Sequence, residues 1–233
     1  MESKVYAIIP AAGSGRRMGS SILKQYIMLG DKPVLAHTLS AFDRAGSVDC
    51  MILAVSPDEK EYIEKEIIKR YGIEKPVFYA PGGRERQESV ANALHSVGNC
   101  DIVVVHDGVR PLVTPDVIEE TIQAARQYGA AAAGMPVKDT IKEIDPAGFA
   151  VNTPDRSILW LIQTPQAFKL RLLEEAHKKA AEDGFLGTDD SSLVERLGHP
   201  VKLVEGGYGN IKITTPEDVD LALHMMRNRG ITL

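Results

Sequence analysis

Short apolar runs alternate along the chain with segments whose apolar residues recur at helical spacing. The runs predict β-strands at residues 5–11, 48–56, 76–81, 101–108 and 130–137. The segments between them predict helices, and in the first of these Leu35, Leu39 and Phe42 recur at i, i+4 and i+7. Strands that alternate with helices are typical of βαβ units, so we expect an α/β fold with a Rossmann-like, mostly parallel sheet flanked by helices.

The alternation breaks between residues 138 and 168. This stretch contains alternating residues and two turn signals, at Asp-Pro-Ala-Gly and Asn-Thr-Pro-Asp, but no helical period. We therefore predict a β-arm inserted at about 138–168 in a single domain of residues 1–233. Its apolar run 158–161 would be exposed, and an exposed apolar patch usually marks an interface. Beyond the arm, strands are predicted at 200–206 and 210–214, and helices at 169–184, 190–198 and from 215.

Length and charge narrow the classes of protein. A chain of 233 residues suits one α/β domain, and a net charge of -5 argues against a general nucleic-acid binder, which needs a basic face. No apolar stretch is long enough to span a bilayer, so a membrane protein is not expected. The first apolar run is too short for a signal peptide, so we expect a cytoplasmic protein.

A loop of small residues and arginines follows the first predicted strand, with the sequence PAAGSGRRMG. Small residues allow close approach of a ligand, and successive N–H groups can cradle phosphate oxygens. The loop is not a dinucleotide fingerprint, because Met18 holds the third glycine position, and it lacks the Gly-Lys-Ser/Thr of a P-loop. The candidate nucleotide-binding residues are Pro10, Ala11, Ala12, Gly13 and Gly15.

Two cations near this loop are candidates for catalysis. Together with Lys24-Gln25, the loop resembles the nucleotide-binding signature of the nucleotidyltransferases that make activated sugars and alcohols. The resemblance implies transfer of a nucleotidyl group, which builds negative charge on the α-phosphate while pyrophosphate leaves, so positioned cations are worth more than a proton-transfer group. Arg17 and Lys24 are available for that role. A nucleophile that is itself a phosphate monoester is mostly ionised at neutral pH, so no activating Ser-His pair is needed.

The second motif, HDGVRP, ends the predicted strand 101–108 at the edge where open α/β sheets bind ligands. Asp107 offers hard oxygen ligands for Mg²⁺ or another divalent cation. Arg110 is a candidate for pairing with a phosphate or for bracing the loop. We expect His106 to pack or to hydrogen-bond rather than to catalyse.

Two further segments complete the predicted site. In GGRERQESV, Gly83 permits close approach and Ser89 can hydrogen-bond a base or ribose. In NIKITTPED, Lys212 lies on a predicted short strand before a capped helix; a lysine in that position is ordinarily a solvated edge residue.

The order of these motifs resembles that of the 2-C-methyl-D-erythritol 4-phosphate cytidylyltransferases over nearly the whole chain. The motifs are PAAGSGRRMG, LKQY, GGRERQESV, HDGVRP, VKDTIK, PDR, QTPQAF, TDDSSLVE and NIKITTPED. The resemblance implies a fold of the nucleotide-diphospho-sugar transferase type, a CTP-specific reaction with a sugar-alcohol phosphate, Mg²⁺ dependence and a homodimer joined through the β-arm.

The resemblance also implies roles for individual residues. Those matching Arg17 and Lys24 stabilise the transition state, and those matching Arg156 and Lys212 position the acceptor. Thr140 matches an arm residue near the acceptor phosphate. The positions that contact the nucleotide and the metal are matched by Ala11, Ala12, Gly83, Ser89 and Asp107. Two positions depart from the usual family pattern, Arg84 in the base loop and Gly108 in HDGVRP.

Three other interpretations fit the motifs less well. A ribitol 5-phosphate cytidylyltransferase shares the HD-x-VRP element and the arm, but its first loop usually has two glycines after a small residue, whereas this chain reads Pro10-Ala-Ala-Gly13. A CTP-sensing module without turnover would not require charge aimed at a transition state, such as that of Arg17 and Lys24. An NAD-linked oxidoreductase is disfavoured by Met18 and by the arginines of the loop.

Overall fold

The structure is a computed structural model that describes residues 4–13 and 23–230. The strands in those residues are β1 (Val5–Pro10), β2 (Met28–Leu29), β3 (Lys32–Pro33), β4 (Cys50–Val55), β5 (Val77–Pro81), β6 (Ile102–Val105), β7 (Ala130–Pro136), β8 (Glu143–Ile144), β9 (Ala150–Asn152), β10 (Trp160–Lys169) and β11 (Lys202–Glu205). The α-helices there are α1 (Val34–Arg44), α2 (Lys60–Ile63), α3 (Arg86–Leu94), α4 (Pro115–Tyr128), α5 (Leu170–Glu182), α6 (Asp190–Arg196) and α7 (Pro216–Asn228).

A seven-stranded sheet in the order β11-β7-β10-β6-β1-β4-β5 forms the centre of the fold. Strand β1 pairs in parallel with β4 and β6, β4 pairs in parallel with β5, and β7 with β11. Among the described strands of this sheet, β10 alone runs antiparallel, between β6 and β7. The mostly parallel α/β fold predicted from the sequence is therefore confirmed.

Helices cover both faces of the sheet, and the pleat of the strands divides the core between them. Ile9 of β1 packs in a cluster with residues of α1 and α4, whereas its neighbour Ile8 packs in a second cluster with residues of α3, α5 and α6. Both isoleucines are fully buried. Burial of each such side chain contributes about 1.5–3 kcal/mol, so the sheet holds the loops at its edge on a rigid base.

Local sequence signals explain where two helices begin. Helix α4 starts after Thr114, whose hydroxyl accepts a hydrogen bond from the N–H of Val117, and it ends at Gly129, where φ is 90°. Helix α7 starts with a capping box between Thr215 and Asp218.

The predicted arm contains a short hairpin of β8 and β9. Asp145 begins its turn and Gly148, at φ 86°, completes it. Residues from Trp160 onward lie in the central sheet as β10, so the excursion is shorter than the range 138–168. Alternation along the chain is equally typical of an arm and of an antiparallel sheet strand, and that ambiguity explains the difference. Of the apolar run 158–161, Ile158 and Leu161 are exposed and the other two side chains are half-buried.

The strand predicted at residues 210–214 is wrong. Within the described part of the chain this segment joins no sheet. One backbone bond, from the N–H of Ile213 to the carbonyl of Val109, ties it to the loop after β6, and the Ile213 side chain is buried in a third apolar cluster. The alternating apolar residues thus reflect packing under a loop rather than pairing with another strand.

None of the helices in the two described ranges is both long and apolar enough to cross a membrane.

Candidate functional site

A cavity of about 490 Å³ lies beside the loops that follow β1, β5 and β6. These are the carboxyl ends of parallel strands, where open α/β sheets bind ligands. Its lining includes most of the predicted site residues, namely Pro10, Ala11, Ala12, Gly13, Lys24, Gly83, Ser89, Asp107 and Lys212. Gly15 and Arg17, also predicted from the sequence, lie outside the described residues.

Close contacts hold the beginning of the glycine loop against its neighbours. The N–H of Ala11 donates to the carbonyl of Ala54, and the side-chain amide of buried Gln25 donates to the carbonyl of Ala11 over 2.7 Å. A Cβ atom added at Gly82 would clash with the Cβ of Ala12. Glycine at that position therefore allows the loops after β1 and β5 to form one wall of the cavity.

Ser89 shapes the second loop through its hydroxyl group. The hydroxyl accepts from the N–H of Gly83 over 2.9 Å and donates to the carbonyl of Glu85 over 3.1 Å. Arg84, the departure noted in the sequence, pairs with Glu88 and its side chain is exposed. Contact of Ser89 with a base or ribose remains a prediction.

Asp107 is the centre of a cluster of charges at the floor of the cavity. Its Oδ1 accepts from the Nε of Arg86 over 2.9 Å, and its Oδ2 lies 2.8 Å from the Nζ of Lys212. The Nε of Arg110 is 3.5 Å from the same Oδ2. Three cations from separate elements thus meet one buried carboxylate.

These contacts fix the ionisation of the cluster. Burial by itself would raise the pKa of Asp107, but Arg86, Lys212 and Arg110 outweigh it and hold that pKa well below its usual range. Burial likewise opposes the charge on Arg86, yet Asp190 and Asp107 raise its pKa above the ordinary value. Both groups are therefore charged at neutral pH, and the cavity floor carries fixed charges aimed at an anionic ligand.

Arg110 and His106 brace the loop that follows β6, and Arg110 also lines a second, smaller cavity beside the first. Arg110 donates from Nη1 to the carbonyl of Asn210 over 2.8 Å, which joins the loop after β6 to the segment that carries Lys212. His106 is fully buried, lies against Phe42 and contacts the carbonyl of Arg110 through Nε2 at 3.3 Å. Burial lowers its pKa to about 3, so the ring is neutral and its role is packing, as predicted.

The structure does not bring the two arm residues to this cavity within the single chain. Arg156 is exposed and donates from Nη1 to the carbonyl of Lys138 over 2.9 Å, and Thr140 is exposed near the base of the arm. Neither lines the cavity as the described residues define it. Their proposed contact with an acceptor needs either a ligand that reaches the arm or a second chain.

A divalent cation fits the site only if the ligand supplies most of its coordination. Among the described residues, no group of three or more His, Cys, Asp or Glu side chains is placed to hold a metal. Mg²⁺, however, is usually bound through one or two carboxylates plus substrate phosphates. Asp107 is ionised and lines the cavity, and the flexible Lys212 stem can leave its Oδ2, so this donor fits that mode.

Several residues at this edge were not singled out from the sequence. Thr164 accepts from the N–H of Asp107 through Oγ1 over 3.0 Å and lines a smaller adjoining cavity of about 110 Å³. Arg86 lies inside the GGRERQESV motif, and Asp190 inside TDDSSLVE. Their charge and their position in motifs near glycines could have marked Arg86 and Asp190 as candidates. Only the folded structure shows that the two side chains meet.

Comparison with known proteins agrees with this geometry. The sequence model of the family described as "IspD: 2-C-methyl-D-erythritol 4-phosphate cytidylyltransferase" matches residues 5–228. A protein of that name from Caldanaerobacter subterraneus is 51% identical over 224 residues, covering 96% of this chain and 99% of the relative. Another from Syntrophotalea carbinolica is 50% identical over 228 residues, covering 97% of each.

Solved structures of the same family are also similar to this chain. The 4-diphosphocytidyl-2C-methyl-D-erythritol synthase of Anaerococcus prevotii superposes with a TM-score of 0.86 at 36% identity, covering 97% of this chain and 96% of that one. The 2-C-methyl-D-erythritol 4-phosphate cytidylyltransferase of Thermus thermophilus superposes with a TM-score of 0.76 at 34% identity, covering 97% and 100%. The chain therefore belongs to the 2-C-methyl-D-erythritol 4-phosphate cytidylyltransferase family.

Proposed function

We propose that this chain transfers CMP from CTP to 2-C-methyl-D-erythritol 4-phosphate and releases pyrophosphate, a step in the synthesis of isoprenoid precursors. The observation that carries the proposal is the ionised Asp107 carboxylate, held by three cations at the floor of a cavity built by two glycine-rich loops. Such a site is suited to polyphosphate chemistry, in which positioning and charge stabilisation do most of the catalytic work. The relatives named above carry the methylerythritol phosphate name, so the ribitol phosphate alternative is not favoured.

Each group of residues has a part in this reaction. The loop at residues 10–19 binds the nucleotide, and Lys24 together with Arg17 stabilises the charge that builds at the α-phosphate. Lys212 and Arg110 bind the phosphate of the acceptor, whose oxygen attacks the α-phosphorus in line with the leaving pyrophosphate. Because that oxygen is already ionised, the side chains orient it and abstract no proton.

Asp107 is proposed to hold a divalent cation, Mg²⁺ in the simplest case. A bound cation neutralises charge on the phosphate oxygens during transfer. The contribution of the chain is a carboxylate that stays ionised in a buried position because of its cationic neighbours. Lys212, which pairs with Oδ2 in this structure, could turn to a phosphate oxygen, and Asp107 would then be available to hold the cation.

We further propose a homodimer joined through the β-arm. Phe149 and Ile158 of the arm are 71% and 77% exposed, and Ile144 and Val151 of the arm are also exposed. A set of exposed apolar side chains in one short segment usually marks an interface. An arm that reaches the neighbouring subunit would bring Thr140 and Arg156 to the acceptor there.

A cytoplasmic location follows from the proposed substrates. CTP and a sugar-alcohol phosphate carry several negative charges, and charged groups do not cross a bilayer unaided. The reaction therefore belongs in the compartment where such compounds are made and retained.

The acceptor assay tests this proposal. Pyrophosphate release from CTP is measured with 2-C-methyl-D-erythritol 4-phosphate, with ribitol 5-phosphate and without an acceptor, each with Mg²⁺ and with excess EDTA. We expect rapid release only with methylerythritol phosphate and Mg²⁺. Equal rates with ribitol phosphate would contradict the acceptor, and undiminished rates in EDTA would contradict the metal.

A further inference from the structure

A chain of buried polar groups runs from the floor of the cavity into the body of the fold. Arg86 donates from Nε to Asp107 and from Nη1 to Oδ2 of Asp190, the latter over 2.6 Å. The other carboxylate oxygen of Asp190 lies 3.0 Å from Nε2 of His177. The carboxylates of Asp107 and Asp190 and the imidazole of His177 are all buried. Loops and three helices thus converge on one connected network.

The three residues of this network behind Asp107 come from three different helices. Arg86 is the first residue of α3, Asp190 the first residue of α6, and His177 lies within α5. Because a carboxylate only accepts hydrogen bonds, the imidazole proton that faces Asp190 is on Nε2. His177 therefore fixes one oxygen of Asp190 while Arg86 holds the other.

Charge balance explains why a second carboxylate is present. Arg86 facing Asp107 alone would form a neutral pair and weaken the attraction of Asp107 for any other cation. Asp190 shares the guanidinium charge, because its own pKa is kept low by Arg86 and His177 in spite of burial. With Lys212 and Arg110 included, three cations face two carboxylates instead of one, so Asp190 lowers the excess of positive charge around Asp107.

We propose that Arg86, Asp190 and His177 are positioning residues that orient Asp107 for the cation and phosphates of the reaction. Arg86 sets the position of Oδ1, which turns Oδ2 toward Lys212 and the ligand. Asp190 balances Arg86, and His177 holds Asp190. This inference rests on the role proposed above for Asp107.

The test uses manganese as a probe of the site, together with turnover. Electron paramagnetic resonance measures Mn²⁺ affinity in the presence of CTP and absence of acceptor, and steady-state kinetics measure the Mg²⁺ concentration that gives half the maximal rate. For Asp190→Asn, both constants are expected to rise about tenfold, as for removal of a group behind a metal ligand. The KM for CTP at saturating Mg²⁺ is expected to stay within about twofold of the wild-type value.

Two comparisons separate positioning from general loss of stability. His177→Gln keeps a donor near the place of Nε2 and is expected to keep wild-type Mn²⁺ affinity, whereas His177→Leu removes it and is expected to behave as Asp190→Asn. Val194→Ala is the matched control, because Val194 is a fully buried residue of α6 in the apolar cluster behind the sheet. It is expected to lower the melting temperature and leave Mn²⁺ affinity unchanged.

Suppose that Asp107→Asn loses Mn²⁺ affinity while Asp190→Asn and His177→Leu both keep the wild-type affinity. That result would overturn the positioning role and leave the role of Asp107 intact. If Asp107→Asn itself kept wild-type affinity and rate, the role of Asp107 would fail, and this inference with it. Should Asp190→Asn not fold, the contrast between His177→Gln and His177→Leu decides the matter. Equal Mn²⁺ affinities in those two variants would then overturn the inference.

Discussion

The Nζ atom of Lys212 lies 2.8 Å from Oδ2 of Asp107, and both residues line the same cavity. The two groups are proposed to serve different partners, Lys212 the acceptor phosphate and Asp107 a divalent cation. Without a ligand they neutralise each other, which avoids a buried unpaired charge. When phosphates and a cation bind, the Lys212–Asp107 pair would be replaced by a Lys212–phosphate pair and an Asp107–cation pair. Both charged groups are already in place before the ligands bind, so little rearrangement is needed.

Lys212→Met removes the ammonium group and keeps a similar apolar stem. We expect kcat/KM for the acceptor to fall by about a hundredfold, since one preorganised contact to a phosphate is lost. CTP affinity, measured by calorimetry, is expected to change little, because the nucleotide is held mainly by the glycine loops. Lys65→Met is the control, since its side chain is 80% exposed on the surface and is expected to be neutral. Retention of near-normal kcat/KM by Lys212→Met would return Lys212 to a structural role.

Lys24→Ala and Arg17→Ala are expected to reduce kcat far more than they raise KM for the acceptor. Both cations are proposed to act on charge that develops only during transfer, and such a loss costs about 3 kcal/mol, or roughly a hundredfold in rate. Single-turnover kinetics at saturating substrates separate the chemical step from binding. A variant that raised KM alone, with kcat unchanged, would place its residue in ground-state binding instead.

Most strands of the central sheet, and the position of the small-residue loop after β1, were predictable from the sequence because they depend on local patterns. Buried runs such as that of β6 and the small residues from Pro10 to Gly13 each carry their own signal. The bridge from Arg86 to Asp190 joins residues 104 positions apart in the chain. Such a contact depends on how α3 and α6 pack on the sheet, and no periodicity reports it.

The errors in the secondary structure have a similar cause. Alternating apolar residues at 210–214 are buried under the loop after β6, and burial on one side produces the same pattern as a strand. Strand β10 was included in the arm because its antiparallel pairing with β6 and β7 closes over long sequence separations. Local alternation cannot tell which strands will be its neighbours.

Mixed dimers test whether arm and cavity work in trans. Arg156→Ala and Arg17→Ala homodimers are both expected to be nearly inactive. A dimer with one subunit of each kind would carry both defects in one site and neither in the other, so co-expression and purification with two different tags should restore up to about half of the wild-type activity per dimer.

Failure of verified mixed dimers to recover any activity would show that Arg156 serves its own subunit. The dimer itself is checked by light scattering, with Phe149→Ser and Ile158→Ser combined to remove apolar area from the arm. We expect the dimer of this variant to dissociate at a higher protein concentration than the wild-type dimer does. Leu186→Ser is the control, because Leu186 is 61% exposed outside the arm and its replacement should leave the mass unchanged. A wild-type monomer would exclude the shared site.

Stability is expected to fall as the solution is acidified below neutrality, in part because of His106. Burial lowers its pKa from 6.5 to about 3, so the unfolded chain binds a proton that the folded chain cannot. Its contribution is complete above pH 6.5 and is lost as pH falls toward 3; between pH 7 and 5 the loss is about 2 kcal/mol. Urea unfolding in EDTA without ligands measures it. His106→Gln should flatten this slope, and an equal slope in both proteins would contradict the assignment.

The fate of the α-phosphorus tests the central claim most directly. CTP labelled with ³²P at the α-position is incubated with the enzyme, Mg²⁺ and 2-C-methyl-D-erythritol 4-phosphate, and the products are separated by anion-exchange chromatography. We predict that the label appears in a cytidine diphosphate ester of the acceptor, in step with unlabelled pyrophosphate. Label recovered only as CMP, or remaining in CTP, would contradict transfer to this acceptor.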